Sequence, residues 1–342
     1  MISTYLRLRE KTKQYVPFAP PIPSPKNTDP LDAKQKAHYL LWRGLMKIPP
    51  QQFANIFKSE KPIFLIGCHN SGTTILARLI GQHPDIINWS EAPDVWTPDD
   101  WFLNWDVMSN PPLPKPFIFD PLAYERTVED HGEYMATIRQ VFDLYAFTRR
   151  KKRFMNKNPH MCLSIPYIEA IYPDAHYIYI RRNGYAVAQS LLGNWRKALQ
   201  QVTENPNSGW GKLKGAIDDI YFDDPLALVR QCADYWQLLD QKSMQDLNAI
   251  TDRSRIYETT YEDICDHPEQ ILRDVFLQMD LSADCYDWQQ LHNPTRYPWT
   301  DMLPMENRNF KYRERLTVEE IQAITDTAHD LLAECGYLHT DE

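Results

Sequence analysis

Apolar positions along this chain switch between two periods. Ile63 to Ile66 is a short unbroken apolar run, the pattern of a strand covered on both faces. From Thr73 to about Gln82 the apolar residues recur at helical spacing, with Ile75, Leu76, Leu79 and Ile80 on one face. The same alternation predicts short strands over Phe154 to Lys157, His176 to Ile180 and Arg255 to Tyr257. Helices are expected over Pro121 to Thr148, His160 to Ile171, Tyr185 to about Trp195, Pro225 to about Ala249 and Pro268 to Gln278. A last helix opens at Thr317, an N-cap with Glu320 three residues on, and runs to Cys335, where Gly336 closes it. Strands alternating with helices at this spacing predict an α/β fold in three layers: a central parallel sheet, right-handed crossovers and helices on both faces.

Three stretches break the pattern. Residues 17–30 hold six prolines and read as an extended tether, so residues 1–60 are expected to form an N-terminal arm with helices packed on a domain spanning 61–342. Residues 86–120, rich in proline and tryptophan, are expected to be irregular, as a substrate pocket, a lid or an aromatic plug over the core. Residues 196–224 read as a polar insertion or lid, and residues 282–315 as largely loop.

The polar turn between the first strand and its helix has the spacing Gly67-x-x-x-x-Gly72-Thr73-Thr74. Glycines at these positions let the backbone curl so that successive N–H groups and a helix N-terminus face one anion, making a P-loop-type phosphate-binding loop. Thr73 stands where a nucleoside triphosphatase carries its lysine. The loop therefore suits a phosphate but not the end of a magnesium-bound triphosphate. In parallel sheets ligands sit at the C-terminal ends of strands, where Lys157, Arg182 and this loop should converge.

Composition narrows the partners. A net charge of −9 over 342 residues disfavours a general nucleic-acid binder. The six cysteines are scattered without a paired Cys-x-x-Cys, which suits free thiols in a reducing compartment better than disulfides or a metal site. The N-terminus has no apolar signal-like core, and no apolar run reaches the roughly 18 residues of a membrane span. A cytoplasmic protein is the expectation; the oligomeric state is not legible.

Four blocks in order then resemble the sulfotransferases that use 3′-phosphoadenosine 5′-phosphosulfate (PAPS). They are FLIGCHNSGTTILARLIGQHPD, MNKNPHMCLSIPYIEAIYPDAHYIYIRRNGYAVAQSLL, YETTYEDICDHPEQILRDVF, and FKYRERLTVEEIQAI with a following CGY. The Asn-Lys-x-Pro element and the glutamate soon after His-Pro-Asp are most similar to the tyrosylprotein and related bacterial branch. The resemblance implies that His69, Asn70, Ser71, Gly72, Thr73 and Thr74 hold the 5′-phosphosulfate and that Arg182 and Ser190 hold the 3′-phosphate. It assigns Tyr257 and Lys311 to the donor as well, Glu91 as the base for the acceptor hydroxyl, and Lys157 as the cation on the leaving oxygen. Asn70 departs from the family, which usually has a basic residue there; His69 or Lys311 could restore the charge. Asp94 is the nearest substitute for Glu91, and His160 either touches the acceptor or starts its helix. The acceptor is a hydroxyl on a small molecule, glycan or peptide. The competing readings are a P-loop nucleotide or small-molecule kinase and a non-catalytic nucleotide-binding protein.

Overall fold

The computed structural model describes residues 47–91, 93–96, 117–204, 224–291 and 306–338. The chain divides into two units, Met1–Pro49 and Pro50–Glu342. The expected arm over residues 1–60 falls mostly on residues 1–46, outside the described ones.

Five strands form one wholly parallel sheet: β1 (Ile63–Ile66), β2 (Ile86–Ser90), β3 (Arg153–Lys157), β4 (His176–Arg181) and β5 (Ile256–Thr260), in the order β2-β3-β1-β4-β5. The apolar run of β1 lies at the centre, with every residue buried, as an all-apolar strand requires. Its alternate residues serve different layers. Ile63 and Leu65 join Ile75, Leu76 and Ile80 of α1 (Thr73–Ile80), and with them Leu272, Val275 and Phe276. On the opposite face Phe64 meets Phe154, Tyr172 and Tyr177 at ring-centroid distances of 5.8, 5.7 and 6.1 Å. That face is covered by α2 (Met135–Thr148), whose Phe142 stacks on Phe154 at 4.7 Å, and by α3 (Ile165–Ile171).

Besides the short helices Pro50–Ala54, Pro93–Trp96 and Val128–His131, the described residues form α4 (Gly184–Glu204), α5 (Ala227–Asn248), α6 (Tyr261–Asp266), α7 (Pro268–Gln278), α8 (Lys311–Arg315) and α9 (Val318–Glu334). Helix α9 begins with the expected capping box: Thr317 accepts from the Glu320 N–H, and Glu320 accepts from the Thr317 N–H. Gly336 then ends it at φ +71°, where an L side chain is strained. No helix among the described residues is long and apolar enough to cross a membrane.

Four expectations need correction. Residues 86–90 are not irregular but the edge strand β2, paired with β3 from Ile86↔Arg153 to Ser90↔Lys157. Its Trp89 and the neighbouring Trp96 are buried core rings, the aromatic-plug alternative; Trp101 and Trp105 lie outside the described residues. The helix expected from Pro121 is broken into short turns before α2, because Thr127 caps a new start by accepting from the Asp130 N–H. Helix α4 runs on to Glu204, so the start of the supposed 196–224 insertion is helix, and residues 205–223 lie outside the described ones. Within 282–315 the described residues include the helical turns Ala283–Cys285, Trp288–Leu291 and α8.

Candidate active site

The loop after β1 is shaped by its glycines. A Cβ on Gly67 would lie 2.6 Å from the Ile180 carbonyl oxygen, so β1 and β4 can approach only with hydrogen there. Gly72 sits at φ +89°, with its missing Cβ aimed at the Tyr261 ring, 2.7 Å away. Asn70 shares the left-handed region at φ +64°, and the Ser71 N–H closes the turn on the Cys68 carbonyl at 3.2 Å. The first N–H groups of α1 have no intrahelical partner and add the positive end of the helix dipole. The buried Ser71 hydroxyl is also without a hydrogen-bond partner.

Two strand ends bring the next pair together. Lys157 is the last residue of β3, and its side chain is 2% exposed. Glu91 directly follows β2 and is held in the left-handed region at φ +65°, with its N–H bonded to the Lys157 carbonyl. The Lys157 ammonium donates to Glu91 Oε1 at 2.6 Å, while the glutamate side chain stays 60% exposed. A buried cation is thus paired with a carboxylate that solvent or a substrate can reach.

Two histidines lie beside this pair. His160 occupies the turn after Lys157, where Asn158 accepts from its N–H at 3.1 Å. Its ring stacks on Tyr124 at 4.5 Å and lies 4.9 Å from that of His69. His69 stacks on Phe117 at 4.3 Å and shares a 2.8 Å hydrogen bond with the Tyr235 hydroxyl. Burial lowers the His160 pKa to about 4, despite the opposing pull of Glu91, with Arg126 and Lys157 adding to the fall. Burial first, then His160 and Lys157, push His69 well below the ordinary imidazole range. Both rings are therefore neutral near pH 7.

Arg182 follows β4 and clamps the loop. It donates to the Asn70 carbonyl at 2.7 Å and to Asn309 Oδ1 at 2.9 Å, and its guanidinium lies 4.0 Å from the centre of the Tyr261 ring. Glu262 ties this corner together by accepting from the Asn183 N–H, the Tyr337 hydroxyl and the Asn309 amide. Ser190 is half-buried in the second turn of α4, and Lys311 opens α8. Thr73 is buried and Thr74 half-buried at the start of α1.

The fold thus joins Glu91 to Lys157, His69 to His160, and Arg182 to the Asn70 backbone. Tyr257 stands apart, inside β5 and packed against the apolar cluster beneath α1 and α7; burial raises its pKa to about 12. The ring beside the loop is Tyr261, which the sequence reading left unassigned along with Glu262, Asn309, Tyr124 and Tyr235. The usable signal for Tyr261 was Thr260-x-x-Asp263: Thr260 caps α6 by accepting from the Asp263 N–H, which puts Tyr261 at the strand end. Asp94 lies in the short helix Pro93–Trp96. A cleft of about 280 Å³ opens beside the loop, lined by His69, Asn70 and Phe117 and by Leu191, Asn194, Trp195, Lys197 and Ala198.

Residues 62–284 match a family described as "Sulfotransferase family". Among curated proteins, nodulation protein NoeE of Sinorhizobium fredii (strain NBRC 101917 / NGR234) is 24% identical over 295 residues, 80% of this chain. The match spans 65% of NoeE, just under two thirds of its length. The omega-hydroxy-beta-dihydromenaquinone-9 sulfotransferase Stf3 of Mycobacterium tuberculosis (strain CDC 1551 / Oshkosh) is 23% identical, with 88% of this chain and 81% of that one covered. Among solved structures, sulfotransferase STF9 from Mycobacterium avium superposes with a TM-score of 0.50 at 15% identity, covering 97% of this chain and 95% of that one. That likeness speaks for the fold alone.

Proposed function

We propose, from the premise that this chain belongs to the sulfotransferase family, that it transfers a sulfuryl group from PAPS to a hydroxyl acceptor by in-line displacement. The observation that carries the reading is the 2.6 Å Lys157–Glu91 pair at two strand ends, beside a phosphate-type loop with threonine in place of the triphosphatase lysine.

In this reading the backbone of His69 to Thr74 and the start of α1 hold the 5′-phosphosulfate, with Ser71, Thr73 and Thr74 adding hydroxyls. Arg182 and Ser190 take the 3′-phosphate. Lys311 adds charge from α8, and Tyr257 contributes through the packing of β5. The acceptor oxygen attacks sulfur as the bond from sulfur to the bridging oxygen breaks. The acceptor proton goes to Glu91, and the electron pair stays on the leaving phosphate oxygen beside Lys157. Such a transfer depends on positioning and on charge placed where it develops. Before the donor arrives, Lys157 and Glu91 neutralise each other; a phosphosulfate drawing the ammonium away would leave the carboxylate free to act as base. All six cysteines are free, which supports a reducing, cytoplasmic setting.

The test is calorimetry of adenosine 3′,5′-bisphosphate in the presence of a metal chelator, with transfer from labelled PAPS measured alongside. Binding without magnesium and label on a hydroxyl acceptor are expected. Binding that requires magnesium, or no binding at all, refutes the reading.

A further inference from the structure

We propose that the cleft between α4 and the phosphate loop selects a neutral, ring-bearing apolar alcohol as the sulfuryl acceptor. The inference rests on the sulfotransferase reading and adds the class of molecule that reading leaves open.

Its walls carry the argument. Phe117, Leu191, Trp195 and Ala198 supply apolar surface, and among the described lining residues Lys197 alone carries a charge. No carboxylate is among those lining residues. A glycan buried here would leave several hydroxyls facing carbon, and each polar group desolvated without a partner opposes binding. An acidic peptide would meet a single exposed lysine where it needs several cations.

Aromatic geometry favours a ring. Phe117 lies flat on His69, with planes 9° apart, and edge-on to Trp195 at 5.5 Å; Phe119 approaches Trp195 at the same distance. These rings offer both faces and edges for a further ring to stack on or abut. The cluster is also uncharged where it nears the reacting pair, because His69 and His160 are held neutral by burial. Phe117 meets His160 at 5.2 Å, and His160 feels the charges of both Glu91 and Lys157. The apolar wall therefore adjoins the turn that follows Lys157, and a molecule lying along it would present its hydroxyl toward that end. The volume of about 280 Å³ lies just below the roughly 300–1,000 Å³ typical of small-molecule sites, which suits a compact ring system.

The experiment compares three acceptors with labelled PAPS: 2-naphthalenemethanol, an N-acetylglucosamine tetramer and an acidic tyrosine peptide. Binding of adenosine 3′,5′-bisphosphate is measured on the same protein. The expected result is a kcat/KM for the ring alcohol at least about tenfold above the other two, the scale on which a pocket separates matched from mismatched groups. Phe117→Ala should raise KM for the ring alcohol about tenfold, with kcat changed less and bisphosphate affinity unchanged. Trp195→Ala provides the same readout if Phe117→Ala no longer binds the bisphosphate. Equal or better transfer to the glycan or peptide overturns the proposal, as does a ring-alcohol KM indifferent to both variants. Donor binding with no transfer to the ring alcohol also overturns it and leaves the sulfotransferase reading standing. Loss of donor binding in the unaltered protein defeats both.

Discussion

Replacing Glu91 with glutamine tests the proposed chemistry at its most exposed point. The carboxylate makes one short contact, 2.6 Å to Lys157, and is otherwise open at 60% exposure. Glutamine keeps the length and an acceptor oxygen, so Lys157, only 2% exposed, retains a partner. The stability cost should stay near 1 kcal/mol, the difference between a charged and a neutral acceptor. Glu91→Ala is the poorer probe, because it strips a buried ammonium of its acceptor and could cost about 3 kcal/mol. Turnover should respond quite differently. An amide cannot take the acceptor proton, and a positioned base is worth roughly 10²–10⁴-fold, or about 3–5 kcal/mol of barrier. The assay is transfer at saturating PAPS to a simple alcohol and to a nitrophenol, with thermal unfolding as the control for folding. The nitrophenol is already largely ionised and should rescue the Glu91→Gln enzyme. It should do little for Lys157→Ala, which loses stabilisation of the leaving oxygen. Full activity of Glu91→Gln on the alcohol would refute the assignment and turn attention to Asp94 or His160.

Two further outcomes are expected. Arg182→Ala should weaken adenosine 3′,5′-bisphosphate by roughly 1.5–3 kcal/mol, the value of a charge-assisted contact; unchanged calorimetric affinity in a folded variant would remove Arg182 from the 3′-phosphate. His160 has its folded pKa lowered to about 4 from an ordinary 6.5. The unfolded chain thus binds the extra proton between those values, and stability present above about pH 6.5 is lost as pH falls toward 4. His160→Phe should flatten that part of the stability curve by up to roughly 3 kcal/mol relative to the unaltered protein, read by denaturant unfolding across pH. Parallel curves for the two proteins would mean that the imidazole titrates normally.

The parts legible in the sequence were those written in local pattern. β1, α1, β3 and β4 are marked by apolar residues, a helical period and Gly or Pro-Asp punctuation; the structure puts the three strands at the centre of the sheet and packs α1 on Ile63 and Leu65 of β1. β2 was not legible, because Asn88 and Ser90 interrupt what would have been its apolar alternation. The reason is tertiary: the Asn88 amide donates to the Ala77 carbonyl at 3.1 Å, which anchors a polar residue against α1 through its N–H while its Oδ1 stays without a partner. β5 was found but ended too early, at Tyr257 rather than Thr260, and with that went the chance to see Tyr261 beside Gly72.

Missing β2 bears directly on Glu91. Read as loop, residues 86–120 could make Glu91 a candidate only through its distance from His-Pro-Asp. In the fold its position follows from register. Ser90 lies opposite Lys157, and the next N–H bonds back to the Lys157 carbonyl. The strand then stops, with Glu91 at φ +65°, a conformation that non-glycine residues adopt at a cost. The left-handed turn and the backbone bond fix where the glutamate leaves the sheet, and the lysine neighbouring that point is the one whose ammonium it meets. A one-residue slip of β2 on β3 would carry the carboxylate off the strand end it now shares with Lys157. The pairing of these two side chains is therefore a property of an edge strand's register, which no motif spacing records.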